Sequence, residues 1–203
     1  PRKGVRGRFG GQFFNGLLVQ GFLNADIDPR ADVYVDVTRT LPFATGSIDS
    51  VMLEEVIEHL AYPQARVLAA ELRRILRPGG VLRITTPDLA YLLALILSPE
   101  PLGGMLADDA QRFLQNGASE DAILRMGAVN SLFYFHGHRC LYYRNSLIEL
   151  FRSAGFTQYR ISHYRDPGGP LGFCDSHADR FNHVPELSIY LDFFAPEEGA
   201  TGK

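Results

Sequence analysis

Short strand-like segments alternate with helical segments in the first half of the chain, and this alternation restricts the fold more than any other feature. Residues 60–76 carry apolar side chains at the spacing of an amphipathic helix, which Pro78 and the glycines after it end. An apolar run at residues 89–97 predicts a buried helix. Alternating strands and helices predict a parallel sheet covered on both faces. The segments of strand length are residues 4–9, 21–28, 32–37, 50–53 and 81–87.

The second half of the chain resumes this pattern after an interruption. Residues 98–140 contain turn signals and two short amphipathic stretches, which predict a helical insertion at one end of the sheet. Residues 144–156 form the next predicted helix, and two strands at 157–164 and 186–194 follow without a helix between them. We therefore predict one α/β domain over residues 1–203. Its Rossmann-like, doubly wound sheet is expected to have about seven mostly parallel strands and a C-terminal antiparallel hairpin.

Composition argues against several classes of protein. The 203 residues carry 20 basic and 23 acidic side chains without a run of one sign, so neither a nucleic-acid partner nor an anionic membrane surface is expected. The longest apolar run is shorter than the roughly 20 residues that span a bilayer. Cys140 and Cys174 are too few for a disulfide framework and do not have the spacing of a metal site. This favours a reducing, cytoplasmic compartment. Residues 174–183 are interpreted as a polar lid, because their histidines match no zinc pattern.

Candidate ligand-binding residues follow the predicted strands. In an open parallel sheet the ligand lies beyond the carboxyl ends of the strands. Gly10 and Gly11 follow the first strand, where their lack of side chains lets backbone N–H groups approach a ligand closely. Asp26 follows the second strand, where a carboxylate can bind ribose hydroxyls. Asp36 and Val37 follow the third, where an acid suits an exocyclic amine and an apolar side chain suits a purine face.

Two longer motifs carry a resemblance to a known family. LPFATGSIDSVMLEEVIEHL (residues 41–60) and ELRRILRPGGVLRITTPDL (residues 71–89) closely resemble the class I S-adenosylmethionine-dependent methyltransferases. FLNADID and HRCLYYRNSLIELFRSAGF resemble segments of a type 11-like bacterial subgroup that is often associated with surface-polysaccharide genes. The resemblance covers most of residues 5–97 and 134–194. It implies S-adenosylmethionine as cofactor and an oxygen of a small molecule or saccharide as methyl acceptor.

Position after the predicted strands, together with the resemblance, gives candidate residues for the cofactor and the acceptor. Asp88 and Tyr143 are the candidate acceptor contacts, although Asp88 could instead be the N-cap of the helix that follows it. The insertion at 98–140 is expected to cover the acceptor site. The first loop departs from the family pattern, which has an acid on the first strand and a third glycine, so a non-catalytic binding protein of the same fold is an alternative. The implied cofactor contacts are Gly10, Gly11, Asp26, Ile27, Asp36, Val37, Glu54 and Glu55.

The segment LEEVIEHL (residues 53–60) concentrates three carboxylates and a histidine after the fourth predicted strand. In one interpretation Glu54 or Glu55 lines the pocket for the sulfonium, while His59 packs or polarises the acceptor. In the other, the segment resembles the E-x-x-E-H arrangement of metal-assisted methyltransferases that act on quinone precursors or RNA ends. The cation ligands that this second resemblance implies are Glu55, Glu58, His59 and His138.

Two further histidines lie in the aromatic segment FYFHGHRC. His136 and His138 are candidates, with His59, for the catalytic group that takes a hydroxyl proton as the methyl group is transferred. A neutral imidazole has an ordinary pKa of about 6.5 and can accept a proton near neutral pH. The surrounding aromatic side chains are expected to shape the acceptor pocket.

Overall fold

The computed structural model describes residues 4–8, 22–28, 31–181 and 184–197. Within these ranges seven strands form one sheet. They are β1 (Gly4–Arg8), β2 (Phe22–Asp26), β3 (Val33–Tyr34), β4 (Ile48–Glu54), β5 (Leu76–Pro87), β6 (Gln158–Ile161) and β7 (Ser188–Phe194). Their order across the sheet is β3-β2-β1-β4-β5-β7-β6. Strands β1 to β5 pair in parallel, whereas β7 is antiparallel to both β5 and β6. The predicted α/β architecture is confirmed.

Helices connect the later strands of the sheet. Those of the described residues are α1 (Tyr62–Ile75), α2 (Leu89–Leu97), α3 (Gly104–Phe113), α4 (Asp121–Tyr134), α5 (Arg144–Ser153) and the single turn α6 (His177–Phe181). Helix α1 begins with Pro63 in its first turn, where the missing N–H would have had no helical partner. In the described ranges, no helix combines the length and apolar character that crossing a membrane requires.

The main core lies between one face of the sheet and helices α1 and α5. Because side chains alternate along a strand, Val51 and Leu53 of β4 face this core, whereas Met52 faces the opposite side. Helix α1 contributes Leu68 and Leu72 from its apolar stripe. Burying a leucine of this kind stabilises the fold by about 1.5–3 kcal/mol relative to leaving it exposed.

The insertion forms a smaller second core with α2. Helices α3 and α4 pack against each other, so the helices predicted within 98–140 are observed, in narrower bounds. The prediction of a buried helix at 89–97 is wrong in one respect, because only Leu92 of α2 is fully buried. Leu93 and Leu97 are 49% and 82% exposed, since the insertion covers only one side of the helix. The buried members of this core are Leu92, Leu106, Ala110, Ala128, Leu132 and Leu187.

The connection between β6 and β7 packs against the sheet face opposite α1. Arg83 of β5, fully buried, donates two hydrogen bonds of 2.6 Å to Asp175 and one of 2.8 Å to Asp192. Asp175 and His177 are 2% and 0% exposed. The interpretation of residues 174–183 as a polar lid is therefore wrong for their described part, because paired charges fasten it to the sheet.

Candidate functional site

In an open parallel sheet a ligand lies beyond the carboxyl ends of the strands, and β4 and β5 end there side by side. Strand β4 ends at Glu54, and Glu55 follows with φ of 52°, a left-handed conformation that is uncommon for a residue with a side chain. The Glu55 N–H donates to the Thr85 carbonyl of β5 at 3.0 Å. A short 3₁₀ turn, Ile57–His59, comes next. The LEEVIEHL segment thus lies at the edge where the sequence placed it.

Glu58, His59 and His138 form a cluster at this edge. Glu58 is fully buried, and its Oε2 accepts a hydrogen bond of 2.9 Å from the Thr86 hydroxyl. Its Oε1 has no hydrogen-bond partner and lies 3.7 Å from His59 Nε2. The backbone N–H groups of Arg139 and Cys140 donate to the Glu58 carbonyl at 2.7 and 3.1 Å, which brings the histidine loop to the turn. One ligand-type atom from each cluster residue lies within 4.8 Å of the others.

Burial sets the protonation states of the cluster. It raises the pKa of Glu58 to about 7 and lowers the pKa of His59. For His138, burial together with the neighbouring His59 and His136 lowers the pKa to about 3. Both His59 and His138 are therefore favoured in the uncharged form near neutral pH.

His136 extends the cluster toward solvent. Its ring centroid lies 5.7 Å from that of His138, which in turn lies 5.0 Å from that of His59. His136 Nε2 is 2.8 Å from Oδ2 of Asp109, a residue of α3 that is only 4% exposed. The sequence analysis did not predict a role for Asp109. The only signal for it in the sequence is that an acidic residue lies on the inward face of an amphipathic helix. The three candidate catalytic histidines are brought together, with the outermost one held by the insertion.

Glu54 and Glu55, at the end of β4, contact different groups. Glu54 is 1% exposed and accepts hydrogen bonds from the backbone N–H groups of Ser176 and His177 at 2.8 and 3.1 Å. Of the two carboxylates expected at the sulfonium pocket, Glu54 is therefore covered by the segment that contains Ser176 and His177. Glu55 Oε1 lies 3.4 Å from Ser188 Oγ and 3.9 Å from His177 Nε2. Burial, together with the charges of Glu58 and Glu54, raises the pKa of Glu55 to about 8.

His177 is a buried residue whose role the sequence did not indicate. Its Nδ1 lies 3.4 Å from Glu54 Oε1, and its Nε2 lies 3.1 Å from the Tyr190 hydroxyl. Burial alone would lower the pKa of His177, but the hydrogen bond to Glu54 and the charges of Glu55 and Glu54 raise it overall. His177 therefore links the two carboxylates at the end of β4.

The second and third strands present the candidate cofactor residues. Asp26 pairs in register with Arg8, at the carboxyl end of β2, and its Oδ1 accepts a hydrogen bond of 3.1 Å from the Asp28 N–H. Ile27 beside it is 40% exposed, an apolar surface suited to a planar base. These features fit the ribose and adenine of a nucleoside. Gly10 and Gly11 lie outside the described residues.

Asp36 is engaged in its own turn. Its Oδ1 accepts hydrogen bonds of 2.9 and 2.7 Å from the Thr38 N–H and hydroxyl, and its Oδ2 accepts one of 3.0 Å from Arg39. The bonds from Thr38 hold the pKa of Asp36 below its ordinary value. An exocyclic amine bound by Asp36, as expected from the sequence, would have to compete with these hydrogen bonds. The neighbouring Val37 is partly buried and packs against the main core.

Asp88 and Tyr143 lie at the same edge as the histidine loop. The Asp88 carboxylate accepts a 2.9 Å hydrogen bond from the Ala90 N–H, so the N-cap interpretation is confirmed. A β-bridge between Asp88 and Tyr142 holds the loop against the end of β5. Tyr143, next in the chain, is 50% exposed and precedes α5. Both candidate acceptor contacts therefore lie where the segment after the histidine loop meets the end of β5.

Comparison with known proteins matches part of the chain to a protein family. Residues 22–84 match the family model of a methyltransferase domain. Over 60 residues the chain is 45% identical to an uncharacterized 37.1 kDa transposon protein of Streptomyces fradiae, covering 30% of this chain and 17% of that protein. Over 60 residues it is also 42% identical to a "Probable S-adenosylmethionine-dependent methyltransferase" of Mycolicibacterium smegmatis, covering 30% and 23%. The matched segment thus spans less than a quarter of either protein.

Solved structures share the fold. A SAM-dependent methyltransferase from Archaeoglobus fulgidus aligns with 95% of this chain and 86% of its own, with a TM-score of 0.54 and 12% identity. A SAM-dependent methyltransferase from Thermotoga maritima aligns with 95% and 82%, with a TM-score of 0.50 and 13% identity. At these identities the likeness is one of fold. The domain match over residues 22–84 and the shared fold support a class I S-adenosylmethionine-dependent methyltransferase, a kind of protein whose cofactor is S-adenosylmethionine.

Proposed function

We propose that the protein transfers the methyl group of S-adenosylmethionine to an oxygen of a small-molecule or saccharide acceptor. The observation that carries the choice of oxygen is the row of imidazoles formed by His59, His138 and His136 at the carboxyl edge of the sheet. A hydroxyl must lose its proton as its oxygen is methylated, and an uncharged imidazole is the side chain best suited to accept that proton near neutral pH.

The proposed cofactor site uses residues that follow the first three strands. When bound, S-adenosylmethionine provides a methyl group on a positively charged sulfur. Asp26 is proposed to hold the ribose hydroxyls, with Ile27 and Val37 beside the adenine and the backbone of Gly10 and Gly11 at the methionine end. The position of Asp26 at the carboxyl end of β2 and the exposure of Ile27 support this arrangement.

His136 is the proposed proton acceptor. It is the outermost of the three histidines, with 36% of its side chain exposed, so an acceptor can reach it. The bond from oxygen to the methyl carbon forms as the bond from sulfur breaks, and the hydroxyl proton passes to His136. The sulfonium charge disappears in the same step, which leaves a neutral thioether. Because α3 holds His136 through Asp109, the insertion is proposed to cover the acceptor, with Asp88 and Tyr143 at its border.

Calorimetry with S-adenosylhomocysteine tests the cofactor site. We expect micromolar binding, weakened about 10- to 100-fold in Asp26→Ala, because a hydrogen bond to a charged group is worth about 1.5–3 kcal/mol. Asp49→Ala is the matched control, since Asp49 lies near the start of β4, at the opposite end of the sheet. Absence of binding by folded wild-type protein would favour the non-catalytic binding protein instead.

Acceptor chemistry is tested with labelled cofactor. Transfer of a labelled methyl group to a panel of hydroxylated small molecules and sugars should yield a base-stable ether, and His136→Ala should lower the rate about 100-fold or more. Label recovered on nitrogen or carbon would contradict the choice of oxygen. Labelling of oligonucleotide ends would favour the RNA-end alternative over a small acceptor.

A further inference from the structure

We infer that the outer face of helix α4 is the interface through which two copies of this chain form a symmetric dimer, with the two α4 helices antiparallel. Dimer formation does not depend on the proposed methyl transfer. Three features of α4 support it, which are its apolar outer face, the area of that face and the opposite charges at its two ends.

Helix α4 is apolar around most of its circumference. Its inner side packs into the second core through Ala128 and Leu132. Arg125, the one basic residue of the helix, has a buried side chain that bonds Asp121. A helix that is apolar all round is normally covered on every side. The described residues leave the outer side of α4 uncovered, and its large exposed side chains are Ile123 (40%), Met126 (46%), Phe133 (40%) and Tyr134 (73%).

These side chains share one face of the helix. At 3.6 residues per turn, positions 123, 126, 130, 133 and 134 fall within about a third of the helix circumference. Asn130 is the one polar residue among them, and its Nδ2 donates to the Met126 carbonyl at 2.8 Å. Single exposed apolar residues are ordinary on a protein surface, whereas a continuous apolar stripe marks an interaction surface.

The area of the face fits a modest dimer. Large apolar side chains present about 150–250 Å² each when fully exposed, so four that are about half exposed present on the order of 400 Å². Ala122 and Val129 add smaller areas beside them. Two copies would then bury on the order of 1,000 Å² in total, about the least that a specific interface needs. We therefore expect a reversible dimer with micromolar affinity.

The two ends of α4 carry opposite charges. Glu120 and Asp121 are exposed at its beginning. At its end the His138 N–H bonds to the Leu132 carbonyl at 3.4 Å, so the chain folds back on the last turn and keeps the exposed Arg139 beside it. In an antiparallel pair each acidic end meets the basic end of the other copy, whereas a parallel pair would place like charges together.

A lipid surface is the other occupant that an apolar helix face could take. Helices that lie on membranes carry lysine or arginine beside their apolar face. In α4 the Arg125 side chain is buried instead, and the exposed charges at the helix start are acidic. Methionine and aromatic side chains without charges between them are typical of the centres of protein–protein interfaces. A second copy of the chain therefore suits this face better than lipid does.

Sedimentation velocity from micromolar to submillimolar protein tests the dimer. Wild type should pass reversibly from monomer to dimer in this range. Met126→Glu should weaken association at least about 30-fold, because it places two like charges in the apolar face. Val67→Glu is the matched control, since Val67 is a 50% exposed apolar residue of helix α1, and this variant should associate as wild type does.

Exchange of charges tests the direction of the helices. Glu120→Arg and Arg139→Glu should each weaken the dimer about 2- to 5-fold, as expected for exposed ion pairs, and the double variant should restore it. Weakening in both single variants without restoration in the double variant would overturn the antiparallel arrangement.

Folding and lipid binding are checked on the same samples. Circular dichroism of Met126→Glu should match wild type, because the side chain is exposed, and Tyr134→Ala repeats the test if that variant unfolds. Wild type that stays monomeric at every concentration, or folded Met126→Glu that dimerises as wild type does, would overturn the inference. Monomeric wild type that floats with phosphatidylcholine vesicles, when Met126→Glu does not, would assign the face to lipid instead.

Discussion

At the scale of single residues, the site is a set of ionisable side chains whose burial changes their protonation. The sequence indicated Glu58, His59, His136 and His138, because their spacing on a turn and in one loop is visible in the chain. It did not indicate that His177 joins Glu54 and Glu55, since that contact crosses more than 120 residues. Local patterns reveal residue types at a strand end, whereas partners from distant loops appear only in the fold.

His177 gives a prediction about stability and pH. The pKa of His177 is raised in the folded state, so binding of a proton by His177 stabilises the fold. This contribution is complete below the ordinary pKa of about 6.5 and is lost as pH rises through the pKa of the folded state. Glu55 and Glu58, whose pKa values are also raised, add to the same trend. Urea unfolding of wild type from pH 6 to about 9 should therefore show falling stability, and His177→Asn should show a smaller fall.

The exposed His163 provides the control for this prediction. His163→Asn should keep the pH dependence of wild type, because its side chain is 70% exposed. Equal pH dependence in His177→Asn and wild type would show that the proton on His177 does not stabilise the fold.

At the scale of elements, the sequence predicted the strongly periodic segments well and their ends less well. Helix α1 and strand β5 were expected, but β5 already begins at Leu76, directly after the helix. The Arg77-Pro78-Gly79-Gly80 segment, expected to end the helix, therefore lies inside the strand. The strand expected over 32–37 is only Val33–Tyr34, because Asp36 bonds Thr38 and Arg39 in a turn. Side-chain bonds to nearby backbone compete with strand pairing, and hydrophobic alternation does not reveal them.

The end of α5 gives a prediction at this scale. Gly155 follows the helix with φ of 97°, and the turn it makes places Phe156 in the core against Phe151. Gly155→Ala should lower the free energy of unfolding by about 1–2 kcal/mol, because a side chain disfavours this backbone conformation. Gly103→Ala should change it by less than about 0.5 kcal/mol, since its φ is negative and a Cβ there meets nothing within 4 Å. Urea unfolding measures both, and equal values would contradict the argument.

At the scale of the whole molecule, the site depends on contact between the sheet edge and the insertion. The sheet supplies Glu58 and His59, the loop after α4 supplies His136 and His138, and α3 supplies Asp109. The sequence predicted the insertion and its histidines but not the partner of His136, because Asp109 and His136 are 27 positions apart on different elements. The 2.8 Å contact between them identifies Asp109 as that partner.

This contact leads to a prediction that separates acceptor chemistry from cofactor binding. Asp109→Ala should lower the rate of methyl transfer about 10- to 100-fold, because His136 loses the carboxylate that orients its ring. The affinity for S-adenosylhomocysteine should stay unchanged, since Asp109 belongs to α3 of the insertion, whereas the proposed ribose contact Asp26 ends β2. Asp108→Ala is the matched control, because Asp108 is exposed on the same helix. Loss of cofactor affinity in both variants would show that α3 supports the fold as a whole. Loss of methyl transfer in Asp109→Ala alone would show that the insertion acts on the acceptor side of the reaction, through the position of His136.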